Sequence, residues 1–230
     1  METSMQKAWR IFKKILLILF ISHLLYIFFC KWVNPPITLT QVGSLLQGYG
    51  LKRDYVSFDE MSPNIKLAVM ASEDQLFPEH DGFDMKAIEK AIKFNEKHPN
   101  RRRGASTISQ QVAKNVFLWQ GGGFIRKGLE VYFTFMIEKI WSKKRILETY
   151  LNVAEMGKGI FGIEAASRAY FNKSAKNLTR AEAAKIAASL PNPKLYTVKP
   201  ISKKVSDRYD DIMRQMNNLE GDPDIQALIK

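Results

Sequence analysis

Cysteine is nearly absent from this chain: Cys30 is the single one among 230 residues. An intrachain disulfide and a cysteine-built metal cluster are thereby excluded. Histidine is almost as scarce, and His23, His80 and His98 lie far apart with no metal-ligand spacing. Acidic residues are in deficit, 23 Asp and Glu against 35 Lys and Arg, a net charge of +12. A surplus of that size points to a polyanionic partner: nucleic acid, anionic lipid or a phosphorylated substrate. Internal repeats and low-complexity segments are lacking. Hydrophobic content of 46% with 25% charged residues is that of a globular chain. The length suits one domain of ordinary size with room for an appendage.

The one long uncharged run, Ile15 to Cys30, supplies that appendage. As a helix it rises about 24 Å, short of the roughly 30 Å hydrocarbon core. Trp32 and Val33 extend it past Lys31, whose ammonium can reach the interface. The flank Phe28-Phe29-Cys30-Lys31-Trp32 has no small-residue cleavage pattern, so the run reads as an uncleaved anchor rather than a signal peptide. Lys7, Arg10, Lys13 and Lys14 before it place the N-terminus in the cytoplasm and the bulk of the chain across the membrane. That topology weighs against nucleic acid and favours a lipid-linked or cell-wall substrate. The expected organisation is a tail over 1–14, an anchor over 15–33, a linker over 34–50 and one folded domain over 51–230.

Beyond Asn34-Pro35-Pro36, residues 37–57 are mixed in pattern and predict little regular structure, at most a small hairpin. Ser62-Pro63 is a helix start, and the helix it opens runs to Glu73-Asp74. Further helices are expected over Met85–Phe94, Ser106–Val116, Phe124–Trp141, Lys143–Glu155, Phe161–Tyr170, Ala181–Leu190 (behind the capping box Thr179-Arg180-Ala181-Glu182) and Ser202–Leu219. Glu96–Arg103, polar, basic and broken by proline, reads as a loop. Gly121-Gly122-Gly123 reads as a flexible break. The domain is therefore mainly α.

Three constellations could carry chemistry. Glu73-Asp74-x-x-Phe77-x-Glu79-His80-Asp81-Gly82 gathers acids where a helix ends. The negative end of the helix dipole disfavours them there, which marks them as candidates for function. Gly104-Ala-Ser-Thr-Ile-Ser-Gln-Gln-Val-Ala-Lys-Asn115 places Thr107, Gln110, Gln111 and Lys114 on one helical face. Neutral hydrogen-bonding groups ending in one cation suit a polyhydroxylated, anionic ligand such as a sugar phosphate. Arg126-Lys127-x-x-Glu130 has the spacing of an intrahelical ion pair.

In this order, and followed by Arg145-Ile-Leu-Glu-Thr-Tyr-Leu-Asn152, Gly162-Ile-Glu-Ala-Ala166 and Tyr170-Phe171, these motifs resemble the biosynthetic peptidoglycan transglycosylases, the glycosyltransferase domain family of class A penicillin-binding proteins. The resemblance spans about Leu51 to Pro193. Trp141-Ser142-Lys143-Lys144 and the short tail are similar to its monofunctional members. The only Ser-x-x-Lys is Ser4 to Lys7, ahead of the anchor, so no penicillin-reactive site is expected.

The resemblance implies a lysozyme-like helical domain that polymerises lipid II at the outer face of the bacterial cytoplasmic (inner) membrane. The growing polyprenyl-diphosphate-linked glycan is transferred to the 4-hydroxyl of the next lipid II with inversion. Lipid II, the nascent strand, membrane lipid and other cell-wall synthesis proteins are the implied partners. Glu73 takes the role of general base, and Glu130 that of a second carboxylate orienting cations or the leaving group. Lys114, Arg126 and Lys127 take the diphosphate. Ser106, Gln110, Gln111 and Asn115 bond sugar and phosphate oxygens, and Phe77 lines the cleft. Asp74 is expected to bond its own backbone and His80 to orient neighbours. No cofactor is required, with a divalent cation, Mg or Mn, as an optional presence at the diphosphate.

One departure stands out. Many relatives carry an arginine shortly before the Arg-Lys pair, and here Gln120-Gly-Gly-Gly-Phe124 has no cation. Either Lys114 and Arg126 suffice, or Arg101-Arg102-Arg103 substitutes. The alternatives to a synthase are a lytic, lysozyme-like hydrolase and a non-catalytic membrane-tethered scaffold.

Overall fold

The computed structural model describes residues 3–99 and 104–230; Arg101, Arg102 and Arg103, and with them the proposed substitute for the missing arginine, lie outside the described residues. The chain forms two compact units, residues 1–35 and 36–230. The first is essentially α1 (Ser4–Cys30), a helix long and apolar enough to cross a membrane. It starts well before Ile15 because Thr3 and Gln6 close a capping box.

The second unit is mainly helical. Residues 37–57, where at most a hairpin was expected, hold α2 (Leu39–Leu46), opened by a Thr38–Gln41 capping box. Its polarity is inverted. Gln41 and Ser44 are buried while Leu39, Leu45 and Leu46 are exposed. Gln41 donates to the Tyr55 hydroxyl at 3.1 Å and Ser44 to the Gly50 carbonyl at 2.8 Å. Periodicity therefore gave no inward apolar stripe to read. After β1 (Lys52–Arg53) come α3 (Pro63–Glu73), capped by Ser62, and α4 (Met85–Lys97). Helix α4 runs through Glu96 and Lys97, which the sequence assigned to a loop.

Helix α5 (Ile108–Phe117) packs against α6 (Phe124–Ile140) and α7 (Lys143–Val153). The Gly121–Gly123 break is an ordered turn: Gly121 and Gly122 have φ of 78° and 95°, and a Cβ on Gly122 would press on Arg126 and Trp119. Helix α7 stops at Val153, short of Glu155, because β2 (Glu155–Gly157) pairs antiparallel with β3 (Ile160–Phe161) across a bulge. Strand β3 also pairs in parallel with β1, giving the order β1-β3-β2.

Helix α8 (Ile163–Phe171) leads to α9 (Arg180–Ser189) and α10 (Lys203–Leu219), which pack together and both pack on α3. A last helix, α11 (Pro223–Ile229), was not anticipated; Asp222 caps it by accepting from the Asp224 and Ile225 amides. It docks on α3 beside Lys66, whose buried ammonium lies 3.7 Å from the centre of the Phe58 ring and donates to the Ile229 carbonyl. Burial lowers the Lys66 pKa to about 8. Two groups of three helices, α3 with α9 and α10 and α5 with α6 and α7, thus form the walls on which the polar motifs are mounted.

Candidate active site

The end of α3, the start of α5, the start of α4 and the α9–α10 region surround a cavity of about 890 Å³. Glu73, Asp74, Ser106, Thr107, Gln111 and Lys114 line it, with Arg208 from α10. Three stretches far apart in sequence therefore meet there.

Glu73 is the last residue of α3. Its Oε2 accepts from Gln111 Nε2 at 3.0 Å, and its Oε1 from the Ser72 hydroxyl at 3.0 Å. Arg208 Nη2 lies 3.9 Å from Oε1. Behind Gln111, the Tyr150 hydroxyl sits 3.4 Å from the amide oxygen. That contact turns the amide so that its NH2 faces the glutamate. Burial, with Glu73 and Asp74 nearby, pushes the Tyr150 phenol well above its usual value, so it remains a neutral donor.

The acids that sequence reasoning placed against a helix dipole resolve in different ways. Asp74 leaves α3 and gives its charge to another helix start: Oδ2 accepts from the Ile108 amide, the first residue of α5, at 2.9 Å. It was expected to bond its own backbone; a carboxylate at the C-terminal end of α3 finds only carbonyls there, whereas α5 presents unpaired amides. Oδ1 takes the other contact, 2.9 Å from His80 Nε2, while His80 Nδ1 accepts from the Gly82 amide at 3.1 Å. The Gly82 donor fixes the neutral tautomer with the proton on Nε2. Thr107 Oγ1 donates to the Gly82 carbonyl at 2.7 Å. Lys143 donates to Glu138 at 2.8 Å and to the His80 carbonyl, and lies 4.6 Å from the Phe77 ring centre. The loop after Glu73 is pinned at every turn. Replacing Asp74 with Asn removes a buried charge-assisted pair; the expected cost is about 2 kcal/mol, read as a lower midpoint in thermal unfolding of the detergent-solubilised chain.

Several expected ligands are used elsewhere. Gln110 is buried, and its Oε1 accepts from the Thr107 amide in the capping box of α5. The polar face foreseen on α5 therefore divides: Thr107 and Gln110 start the helix, and Gln111 and Lys114 reach the cavity. Phe77 is fully buried beneath Lys143, in the core rather than on the cleft wall. Asn115 is buried and its Oδ1 accepts from Gln120 Nε2 at 3.1 Å.

Glu130 is buried on α6, clamped by Arg126 at 2.6 Å and by Lys127. The intrahelical pairing is thus real, and it holds two cations next to a third. Lys114 feels Glu130, Arg126 and Lys127 as well as Glu73. Its pKa is lowered, chiefly by burial and further by the two neighbouring cations. Among the described residues its ammonium makes no hydrogen bond or ion pair, and Arg126 Nε is buried without a partner. Two cations fixed on one buried carboxylate, with the unpaired Lys114 near them, leave an excess of partly desolvated positive charge suited to an anion.

The residues that sequence reasoning missed are Tyr150, Ser72 and Arg208. Ser72 has no pattern of its own, and Tyr150 falls within the Arg145–Asn152 motif, which was given no site role. Arg208 had a signal: it stands three residues after Val205 and four before Ile212, both buried, so a cation occupies the inward stripe of α10.

A cavity lined by the Glu73 carboxylate and the Lys114 ammonium, in a mainly helical domain of the lysozyme-like class, has the chemistry of an enzyme that acts on a hydroxylated, anionic substrate. The sequence profile described as Transglycosylase matches residues 40–217. A biosynthetic peptidoglycan transglycosylase of Haemophilus influenzae is 57% identical over 182 residues, covering 78% of this chain and 74% of that protein. One from Mannheimia succiniciproducens is 59% identical over 171 residues, 74% of this chain and 70% of that protein. One from Escherichia coli is 55% identical over 189 residues, 81% and 78%. The chain belongs to the transglycosylase family.

Proposed function

We propose that this chain is a peptidoglycan glycosyltransferase that polymerises lipid II. The observation that carries the reading is that Glu73 and Lys114 line one cavity, with Arg126, Lys127 and Glu130 grouped behind Lys114. The 4-hydroxyl oxygen of the acceptor attacks the anomeric carbon of the donor, and its proton passes to Glu73. The bond from that carbon to the diphosphate breaks, and the diphosphate leaves as an anion held by Lys114, Arg126 and Lys127. A single displacement inverts the anomeric centre. Diphosphate is already a good leaving group, so cations serve it better than a proton donor; a glycosidase would instead set two carboxylates either side of the scissile bond. Here the second carboxylate, Glu130, has both oxygens taken by cations.

That pairing also bears on a divalent ion. Among the described residues no group of three His, Cys, Asp or Glu side chains could hold a metal, and Glu130 would have to release Arg126 or Lys127 to bind one. A divalent ion at the diphosphate would draw most of its oxygens from phosphate and water, with Glu130 as the carboxylate nearest it in this reading.

The anchor α1 tethers the enzyme to the membrane that holds its substrate, which raises their encounter concentration. In this reading the N-terminus is cytoplasmic and residues 36–230 face outward. Phe124 and Ile125, exposed on the helix that carries Arg126 and Lys127, suit the lipid end of the substrate. Purified full-length chain incubated with radiolabelled lipid II is expected to lengthen glycan and to leave preformed glycan intact. Shortening of preformed glycan would establish the lytic alternative, and inertness toward both would favour the scaffold.

A further inference from the structure

We propose that Gln120 is a positioning residue that aims the Asn115 amide at the leaving diphosphate. The proposal rests on the reading that Lys114 and Arg126 hold that diphosphate. Gln120 opens the Gln120-Gly-Gly-Gly turn, the stretch that carries no cation. An exposed glutamine can satisfy its amide with water, yet Gln120 turns its nitrogen to protein. Its Nε2 donates to the Thr40 hydroxyl of α2 at 2.8 Å and to Asn115 Oδ1 of α5 at 3.1 Å. An amide nitrogen has two hydrogens, and these partners take both.

The bond to Asn115 decides which end of that amide is left for a ligand. Asn115 is 9% exposed, and its oxygen is taken by Gln120. Among the described residues its Nδ2 makes no hydrogen bond, and it is not sealed from solvent. A donor left open one residue past Lys114 suits an anion, whereas the carbonyl end turned the same way would repel one. The turn that carries Gln120 is also fitted to the cations. Gly122 has a φ of 95°, and a Cβ there would lie 3.2 Å from Arg126 Cβ and Cδ and from Trp119 Nε1. The turn therefore closes on the stem of Arg126, whose Nη1 donates to Glu130 at 2.6 Å and whose Nε is buried without a partner among the described residues. Gln120 thus ties α2 and the Asn115 amide to the turn that packs on Arg126.

Gln120→Ala, Gln120→Glu, Asn115→Ala and the double variant Gln120→Ala with Asn115→Ala are compared with the parent chain for lipid II polymerisation, with thermal unfolding to show that each is folded. In Gln120→Ala, kcat is expected to fall by about fivefold to thirtyfold, with an unfolding midpoint near that of the parent because the side chain is exposed. The double variant is no slower than Asn115→Ala alone, since without the Asn115 amide Gln120 has nothing to aim. Gln120→Glu is slower than Gln120→Ala. The carboxylate can still accept from Thr40, but it draws the Asn115 NH2 to itself and turns the amide oxygen toward the diphosphate. A Gln120→Ala or an Asn115→Ala within twofold of the parent overturns the proposal. So do losses that multiply in the double variant, and so does a Gln120→Glu at least as fast as Gln120→Ala, the result a plain clip on Thr40 would give. Lys114→Met in the same series separates the two readings. Normal polymerisation by that variant removes the diphosphate site itself, whereas an inactive Lys114→Met beside an unaffected Gln120→Ala removes only the role of Gln120.

Discussion

Glu73→Gln is expected to lower kcat for glycan synthesis by about a hundredfold to ten-thousandfold while lipid II still binds. The amide matches the carboxylate in shape, and its oxygen can keep the 3.0 Å contact from Gln111. It cannot take a proton from an attacking hydroxyl at neutral pH. With that oxygen on Gln111, the same amide points its NH2 at the Ser72–Arg208 side, where the native oxygen accepts, so some loss of positioning accompanies the loss of basicity. Turnover of radiolabelled lipid II measures the first effect, and binding of a fluorescent lipid II at equilibrium measures what is retained. A variant that binds and does not polymerise is the expected result; one that polymerises normally assigns the proton transfer to another group.

Lys114→Met is expected to cost about a hundredfold to a thousandfold in kcat, by removing the least compensated cation of the diphosphate group. Burial and the neighbouring Arg126 and Lys127 lower the Lys114 pKa below the ordinary lysine value of 10.5. The charge that steadies the leaving group is therefore lost at a lower pH than for an exposed lysine. The rate falls as pH rises through that lowered value, and Lys114→Arg displaces this alkaline limb upward because a guanidinium keeps its proton. Stability moves the other way. Between the lowered folded pKa and the ordinary unfolded one, the unfolded chain binds more protons, so stability rises with pH across the same window. Activity falling while the unfolding midpoint holds or rises distinguishes lost chemistry from lost structure. By the same sign, Lys114→Met at neutral pH removes a desolvation cost and leaves the midpoint unlowered.

Much of this site was legible because its chemistry sits in short, ordered motifs. Glu73 stood out as an acid at the wrong end of a helix, and Gln111 and Lys114 as polar groups on one helical face. Capping residues also announced α3, through Ser62-Pro63, and α9, through the Thr179 box. What was hidden is what depends on tertiary contact. No spacing rule says that Gln110 closes a capping box while Gln111, one position on, reaches a cavity; the pairing with Thr107 decides it. Phe77 looked like a cleft aromatic, and Lys143, from a helix sixty-odd residues later, covers it instead. Helix α2 escaped notice because its buried face is polar, satisfied by Tyr55, Arg53 and Gly50 rather than by apolar packing. Arg208 could have been found by asking why a cation occupies an inward stripe.

The account turns on one carboxylate facing an incoming sugar alcohol while fixed cations hold the departing diphosphate. A structure of the full-length chain with a non-reactive lipid II analogue bound tests that directly. It is expected to place the acceptor 4-hydroxyl within about 2.6–3.2 Å of the Glu73 carboxylate and phosphate oxygens on Lys114 and Arg126. A diphosphate bound away from Lys114, or an acceptor hydroxyl out of reach of Glu73, would contradict it.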